Sequence, residues 1–203
     1  MKKILISQSI YTDLTRNEFG DKVDGKIIRF VQAAKYLPIA LSNYQITHSD
    51  CGWDTSVLYQ FLDRVNVDGI LLTGGPDFGE HEHRDITEKA VLSWASKEKL
   101  PVLGLCRGMQ LMGKIEGACL EEVSNHVREY HQLTGTLSNN VNSYHKFAFR
   151  NLPPCFKILA KSSDGVIEAF RHTKNNWEGW MWHPEREEHF QLFDLKRFQK
   201  VFG

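Results

Sequence analysis

The sequence predicts an α/β fold with a parallel central sheet and helices on both faces. Three observations lead there. Short apolar runs bounded by polar residues alternate with helically spaced segments over the first 120 residues, the pattern of strand-helix-strand units. The second half is richer in strand-like segments. Between an apolar strand and a helix lies Gly104-Leu105-Cys106-Arg107-Gly108, the spacing of a sharp strand-to-helix turn.

Taken in order, residues 3–8 read as a buried strand, short and polar at both ends. Residues 11–24 are polar with scattered charges and read as a long loop near a site. Residues 26–35 carry Ile27, Phe30, Val31 and Ala34 at helical spacing. A strand follows at 37–41, an amphipathic helix at 55–65, and a strand at 68–72 that ends in Thr73-Gly74-Gly75-Pro76. Residues 85–99 form a helix with Ile86, Ala90, Leu92, Trp94 and Ala95 on its inner side. A strand at 101–105 runs straight into a helix at 107–114. Strands are expected at 134–137, 157–160, 166–171 and 177–183, with Asp164-Gly165 as a hairpin turn and a closing amphipathic helix at 190–202. No repeat, low-complexity tract or linker divides the 203 residues, so one domain spanning 1–203 is expected.

Composition narrows the function. Apolar residues make up 41% of the chain, which suits a globular protein. Lys plus Arg and Asp plus Glu balance at 25 each, so no global field draws in nucleic acid or a membrane surface. No transmembrane-length stretch is present, and the apolar run at the N-terminus is too short for a signal peptide. A reducing cytoplasm and free thiols are the expectation. Cys51, Cys106, Cys119 and Cys155 form no CxxC pair, so neither a zinc site nor a dithiol redox pair is expected. His81, His83, His126 and His131 read as surface residues. No metal or cofactor is called for.

Cys106 is the candidate nucleophile. Glycines on either side let a sharp turn lift the thiol above the sheet edge, at a helix N-terminus that favours thiolate; the competing reading is a small buried apolar residue. Trp182-His183-Pro184-Glu185 follows an apolar strand. On extended chain, residues two apart point the same way. Glu185 can then hold one imidazole nitrogen of His183 and leave the other for a thiol, the logic of nucleophile, base and orienter. A strand-end histidine and a solvated acid are the alternatives.

These residues resemble class I glutamine amidotransferase-like proteins, in particular the γ-glutamyl hydrolase branch known as peptidase family C26. The resemblance runs over residues 72–77, Arg84-Asp85, 104–110, Asn142-Ser143-Tyr144-His145, 163–169 and 182–185. It implies a flavodoxin-like, doubly wound, mostly parallel sheet with an added antiparallel section. It also implies a Cys106-His183-Glu185 triad and a glutamyl-thioester intermediate. Backbone N–H groups of Gly75 and Arg107 are the implied oxyanion hole. Gly74, Gln110, Asn142, Ser143, Tyr144, His145 and Arg84 are the implied substrate contacts, although Arg84-Asp85 also suits a helix start. The implied partner is a small γ-glutamyl conjugate, nucleotide-linked as one option, with Lys146, Arg150 and Arg128 as candidate cations for its phosphates. A glutaminase subunit that feeds a synthase is a second reading, and a redox sensor using Cys106 a third. The segment Lys146-Phe147-Ala148-Phe149 departs from the family's Gly-Gln pattern, so the glutamyl pocket is better supported than the leaving-group pocket.

Overall fold

The computed structural model describes residues 1–203. Eight strands form the main sheet: β1 (Lys3–Ser7), β2 (Leu37–Leu41), β3 (Gly69–Leu72), β4 (Val102–Leu105), β5 (Thr134–Gly135), β6 (Phe156–Lys161), β7 (Ile167–His172) and β8 (Trp177–Trp180). Their spatial order is β5-β6-β7-β8-β4-β3-β1-β2. The five strands from β8 to β2 are parallel and β5 to β8 antiparallel. The parallel part is a flavodoxin-like arrangement with an antiparallel extension.

Two-residue periodicity divides the strand side chains between two cores. Leu5, Ile70, Leu72 and Val102 face one core. Ile4, Ile6, Leu71, Leu103 and Leu105 face the other. Helices α2 (Ser56–Val65), α3 (Glu82–Lys97) and α4 (Arg107–Ile115) cover the first face; α1 (Gly25–Ala33) and α5 (Leu192–Phe202) cover the second. Helix α1 starts where the Asp24 carboxylate accepts from the Lys26 N–H at 2.9 Å, an N-cap. On α5, Phe198 and Phe202 enter the core with Phe30 and Tyr36. Phe198 meets the Phe30 ring edge-on at 5.4 Å.

Three expectations change. Residues 11–24 are not a loop: Ser9–Asp13 and Glu18–Lys22 pair as an antiparallel hairpin. Its residues are mostly exposed, so no apolar alternation marked it. Val127–Gln132 and Asn140–Tyr144 also form a separate two-stranded ladder. The strand expected over 177–183 ends at Trp180, and Pro184–Arg186 is a 3-10 turn. Proline at the start of that turn supplies the φ it needs and lacks the N–H that a longer strand would use. No helix is long and apolar enough to cross a membrane.

Candidate active site

The carboxyl ends of β3, β4 and β8 converge, as ligand-binding ends do in open parallel sheets. Cys106 follows β4 with φ 48° and ψ −101°, a left-handed backbone that L-residues adopt only under constraint. The constraint is visible. The Cys106 N–H donates to the Trp180 carbonyl at 2.7 Å, and its own carbonyl accepts from the Gln110 N–H at 2.9 Å. A Cβ on Gly108 would stand 2.5 Å from the Leu72 carbonyl oxygen, and one on Gly104 2.5 Å from the Met109 nitrogen. Only glycines let β3, β4 and α4 approach this closely. Cys106 is 8% exposed and precedes the N-terminus of α4, where the helix dipole favours an anion.

His183 is held by its backbone. Its N–H donates to Asn142 Oδ1 at 2.9 Å and its carbonyl accepts from Asn142 Nδ2 at 2.8 Å. Before it, Trp180 and Trp182 stack with rings 5.1 Å apart and 4° from parallel, and Trp182 Nε1 donates to Asp194 Oδ1 at 2.9 Å. His183 Nδ1 lies 2.6 Å from Glu185 Oε1. With Nδ1 donating there, Nε2 is left for the sulfur. The 3-10 turn, not an extended segment, brings Glu185 under the ring. Burial pushes the His183 pKa down, but the Glu185 carboxylate and the neighbouring Cys106 sulfur override it and raise the pKa to about 9. The ring therefore keeps its proton at neutral pH. A Cβ on Gly74 would stand 2.5 Å from His183 Cε1, so the glycine makes room for the base.

Gly75, at φ 148°, lies in the loop after β3. Thr73 anchors that loop: its N–H donates to Ser7 Oγ and its hydroxyl to the Ser7 carbonyl, both at 3.0 Å. Arg84 braces it, donating from Nη2 to the carbonyls of Thr73 at 2.9 Å and Gly74 at 3.0 Å. At 1% exposure Arg84 is sealed inside, which corrects its expected role as a substrate contact. It pairs through Nε with Glu88 at 2.9 Å, and the Arg107 guanidinium bridges Glu88 and Asp85. Glu88, fully buried, is held below the usual carboxylate range; burial opposes ionisation, and the two arginines overcome it. Sequence reasoning missed Glu88. Its signal was the four-residue spacing from Arg84 on a helix. The Arg107 N–H opens α4 and has no partner within the helix, as an oxyanion donor requires.

The Asn142 to His145 segment is corrected in part. The Asn142 amide clamps His183 and also donates to Glu187 at 2.5 Å. Ser143 Oγ donates to the His126 carbonyl at 2.8 Å. His145 is buried against His126 and Glu168. Gln110 Nε2 donates to the Phe147 carbonyl at 2.7 Å. These side chains are engaged within the protein, so they position the site rather than hold substrate. Tyr144 does face it, meeting the His183 ring edge-on at 6.0 Å with Arg186 over its own ring. The cleft beside the base is lined by Ser9, Lys22, Asp24, Gly74, Gly75, His183 and Arg186. Of the histidines expected at the surface, His83 packs against Tyr44 and Trp53, and His126 is 1% exposed.

Fold and site together define an α/β protein with a cysteine elbow and a histidine-carboxylate pair at the strand ends. Residues 31–191 match the model of the glutamine amidotransferase class-I family. The chain belongs to that family and is an enzyme of its hydrolytic type. It is 32% identical over 127 residues to a γ-glutamyl-CDP-amidate hydrolase of Campylobacter jejuni, covering 60% of this chain and 64% of that relative. It is 33% identical over 149 residues to the smaller, glutamine-hydrolysing component of a GMP synthase from Methanococcus vannielii, covering 68% and 75%. A Thermoplasma acidophilum protein described as the corresponding GMP synthase component superposes with a TM-score of 0.70 at 21% identity, covering 100% of this chain and 94% of that one, a likeness of fold.

Proposed function

We propose that the protein hydrolyses a γ-glutamyl amide bond through Cys106, His183 and Glu185 and releases L-glutamate. The observation that carries this reading is the buried His183–Glu185 pair, 2.6 Å apart, beside a cysteine on a strained elbow. The Cys106 thiol passes its proton to His183 Nε2, and the thiolate attacks the δ-carbonyl of the glutamyl group. The N–H groups of Gly75 and Arg107 receive the oxyanion. As the intermediate collapses, His183 gives the proton to the departing nitrogen and a glutamyl thioester remains. Water, deprotonated by His183, attacks the thioester; glutamate leaves and the thiol is restored.

For the leaving group, the best-supported choice is cytidine diphosphoramidate, from γ-L-glutamyl-CDP-amidate in capsular polysaccharide modification. Its support is the similarity to the Campylobacter relative and the cations at the cleft. Lys22 and Arg186 line the cleft beside the base, and Lys26 and Arg29 the adjoining one. They replace the cations expected from sequence: Arg150 is tied to the Asp164 carbonyl at 2.9 Å, and neither Lys146 nor Arg128 lines either cleft. The small molecule is the only partner this chemistry requires, and a reducing cytoplasm suits the free thiol. A glutaminase that feeds a synthase is the second reading, favoured by the 75% coverage of the Methanococcus GMP synthase component.

Glutamate release from glutamine, γ-glutamyl-γ-aminobutyrate, γ-glutamyl peptides and the nucleotide amidate separates the readings. The expected result is fastest release from the nucleotide amidate without any partner protein. Release from γ-glutamyl-γ-aminobutyrate but not from the amidate would sink the substrate assignment, and activity on glutamine only after adding a synthetase would establish the second reading.

A further inference from the structure

Behind the strand that clamps His183 lies a polar cluster that the proposed reaction does not use. His126 and His145 are each 1% exposed at the side chain and Glu168 is 0% exposed. His126 Nδ1, His145 Nε2 and Glu168 Oε1 form a triangle with edges of 3.3, 3.4 and 3.5 Å. Neither oxygen of Glu168 has a hydrogen-bond partner, nor do His131 Nε2 and His145 Nδ1. A buried carboxylate with both oxygens unsatisfied is costly. Ligand atoms about 2.0–2.1 Å from a tetrahedral ion stand about 3.3–3.4 Å apart, which matches the triangle. His126, His131 and Glu168 each place a ligand atom within 4.8 Å of the others, so His131 can supply the fourth corner. The outer shell is also present. Asp164 Oδ2 accepts from His126 Nε2 at 3.2 Å, which directs the Nδ1 lone pair inward, the carboxylate-histidine-metal arrangement. Asp164 is itself fixed by Ser162 Oγ at 2.6 Å.

We propose that His126, His145 and Glu168, with His131 as fourth ligand, form a structural site for a divalent transition metal of the zinc class. The ion ties three segments together: the strand Val127–Gln132 and the residue before it, the end of the strand Asn140–Tyr144, and β7. The second of these carries Asn142, which holds the backbone of His183. Metal at this site braces the platform under the base without touching substrate.

The test is titration of chelator-stripped, full-length protein with ZnCl2, read by calorimetry and by zinc retained after gel filtration. Cys106→Ala and Cys155→Ala in the background remove competing thiols. The expected result is one zinc per chain, a higher thermal midpoint, and the visible band of tetrahedral cobalt when CoCl2 replaces zinc. His126→Gln and Glu168→Gln should each weaken binding by at least about 100-fold, and Asp164→Asn by about 10- to 100-fold. His131→Gln, at a partly buried position, should weaken binding even where the buried variants fold poorly. His172→Gln should change nothing; it belongs to the separate Glu116-Cys155-His172 group. Absence of saturable zinc uptake means that protons alone satisfy the cluster, and overturns the proposal. So does uptake unchanged in folded His126→Gln and His131→Gln, or uptake lost with His172→Gln.

Discussion

The surroundings of the nucleophile and the mouth of the cleft are built differently. Around Cys106 the charges are buried and answered: Arg84 and Arg107 on one side, Asp85 and Glu88 on the other. Glycines without room for a Cβ lock strand, helix and loop at contact distance. At the mouth, Lys22, Asp24 and Arg186 lie on an exposed hairpin, a helix start and a short turn, with no core to fix them. The difference assigns two functions to two kinds of structure. Geometry for bond cleavage sits where alternatives are excluded, and preference for a leaving group sits where substitution is tolerated. Variants should therefore separate the two.

The largest effect belongs to the buried side. Cys106→Ala should lower turnover by about 10⁴-fold or more and leave the melting transition of the protein nearly unchanged. Second is Glu88→Ala, which strands two buried guanidinium groups. Losing one partner of a buried ion pair costs about 3–5 kcal/mol, measurable by urea unfolding; a loss below about 1 kcal/mol would mean that the network is not a brace.

Next is Glu185→Gln, expected to lower kcat by about 10²- to 10⁴-fold. It should also move the alkaline limb of kcat/KM. In the native protein His183 is protonated up to about pH 9, because Glu185 and the sulfur outweigh burial. Removing the carboxylate charge lets burial count for more, so the limb shifts to lower pH. An unmoved limb would take Glu185 out of contact with the base.

Asp194 gives a smaller effect with a definite sign. Burial raises its pKa from 3.8 to about 7, against the Trp182 hydrogen bond that lowers it. The folded state holds this proton more tightly than the unfolded chain. The resulting stabilisation is complete below about pH 4 and is lost as pH rises through 7. Asp194→Asn keeps an acceptor for Trp182 and removes the buried charge. It should gain about 1–2 kcal/mol over wild type at pH 8 and nothing at pH 4, by thermal unfolding at both values.

The smallest effect belongs to the mouth. Lys22→Ala and Arg186→Ala should each raise KM for a phosphate-bearing conjugate by about tenfold and leave kcat on γ-glutamyl-γ-aminobutyrate unaltered. Equal losses on both substrates would erase the distinction between the two regions.

What the sequence revealed follows the same division. The parallel strands and their helices were legible because buried strands are continuous apolar runs and covering helices carry a 3.6-residue stripe. Cys106 and the His183-Glu185 pair were legible because elbow glycines and a fixed Pro184 leave local marks. The hairpin over 9–22 left none, being polar on both sides. The functions of Asn142 and Arg84 were misread for another reason. A polar residue in a site segment looks the same in sequence whether its side chain meets substrate or a backbone carbonyl across the fold. Glu88 and the His126-Glu168 cluster were hidden because their partners lie on other elements.

The central claim is a covalent glutamyl group on Cys106, formed with the help of His183. Acid quench of the protein during turnover of a γ-glutamyl substrate, followed by intact-mass and peptide mapping, reads it directly. The account predicts one glutamyl adduct on the peptide carrying Cys106, labile to hydroxylamine and lost in Cys106→Ala. Steady turnover with no adduct in a quench fast enough to resolve one cycle, or hydrolysis undiminished in Cys106→Ala, would contradict it.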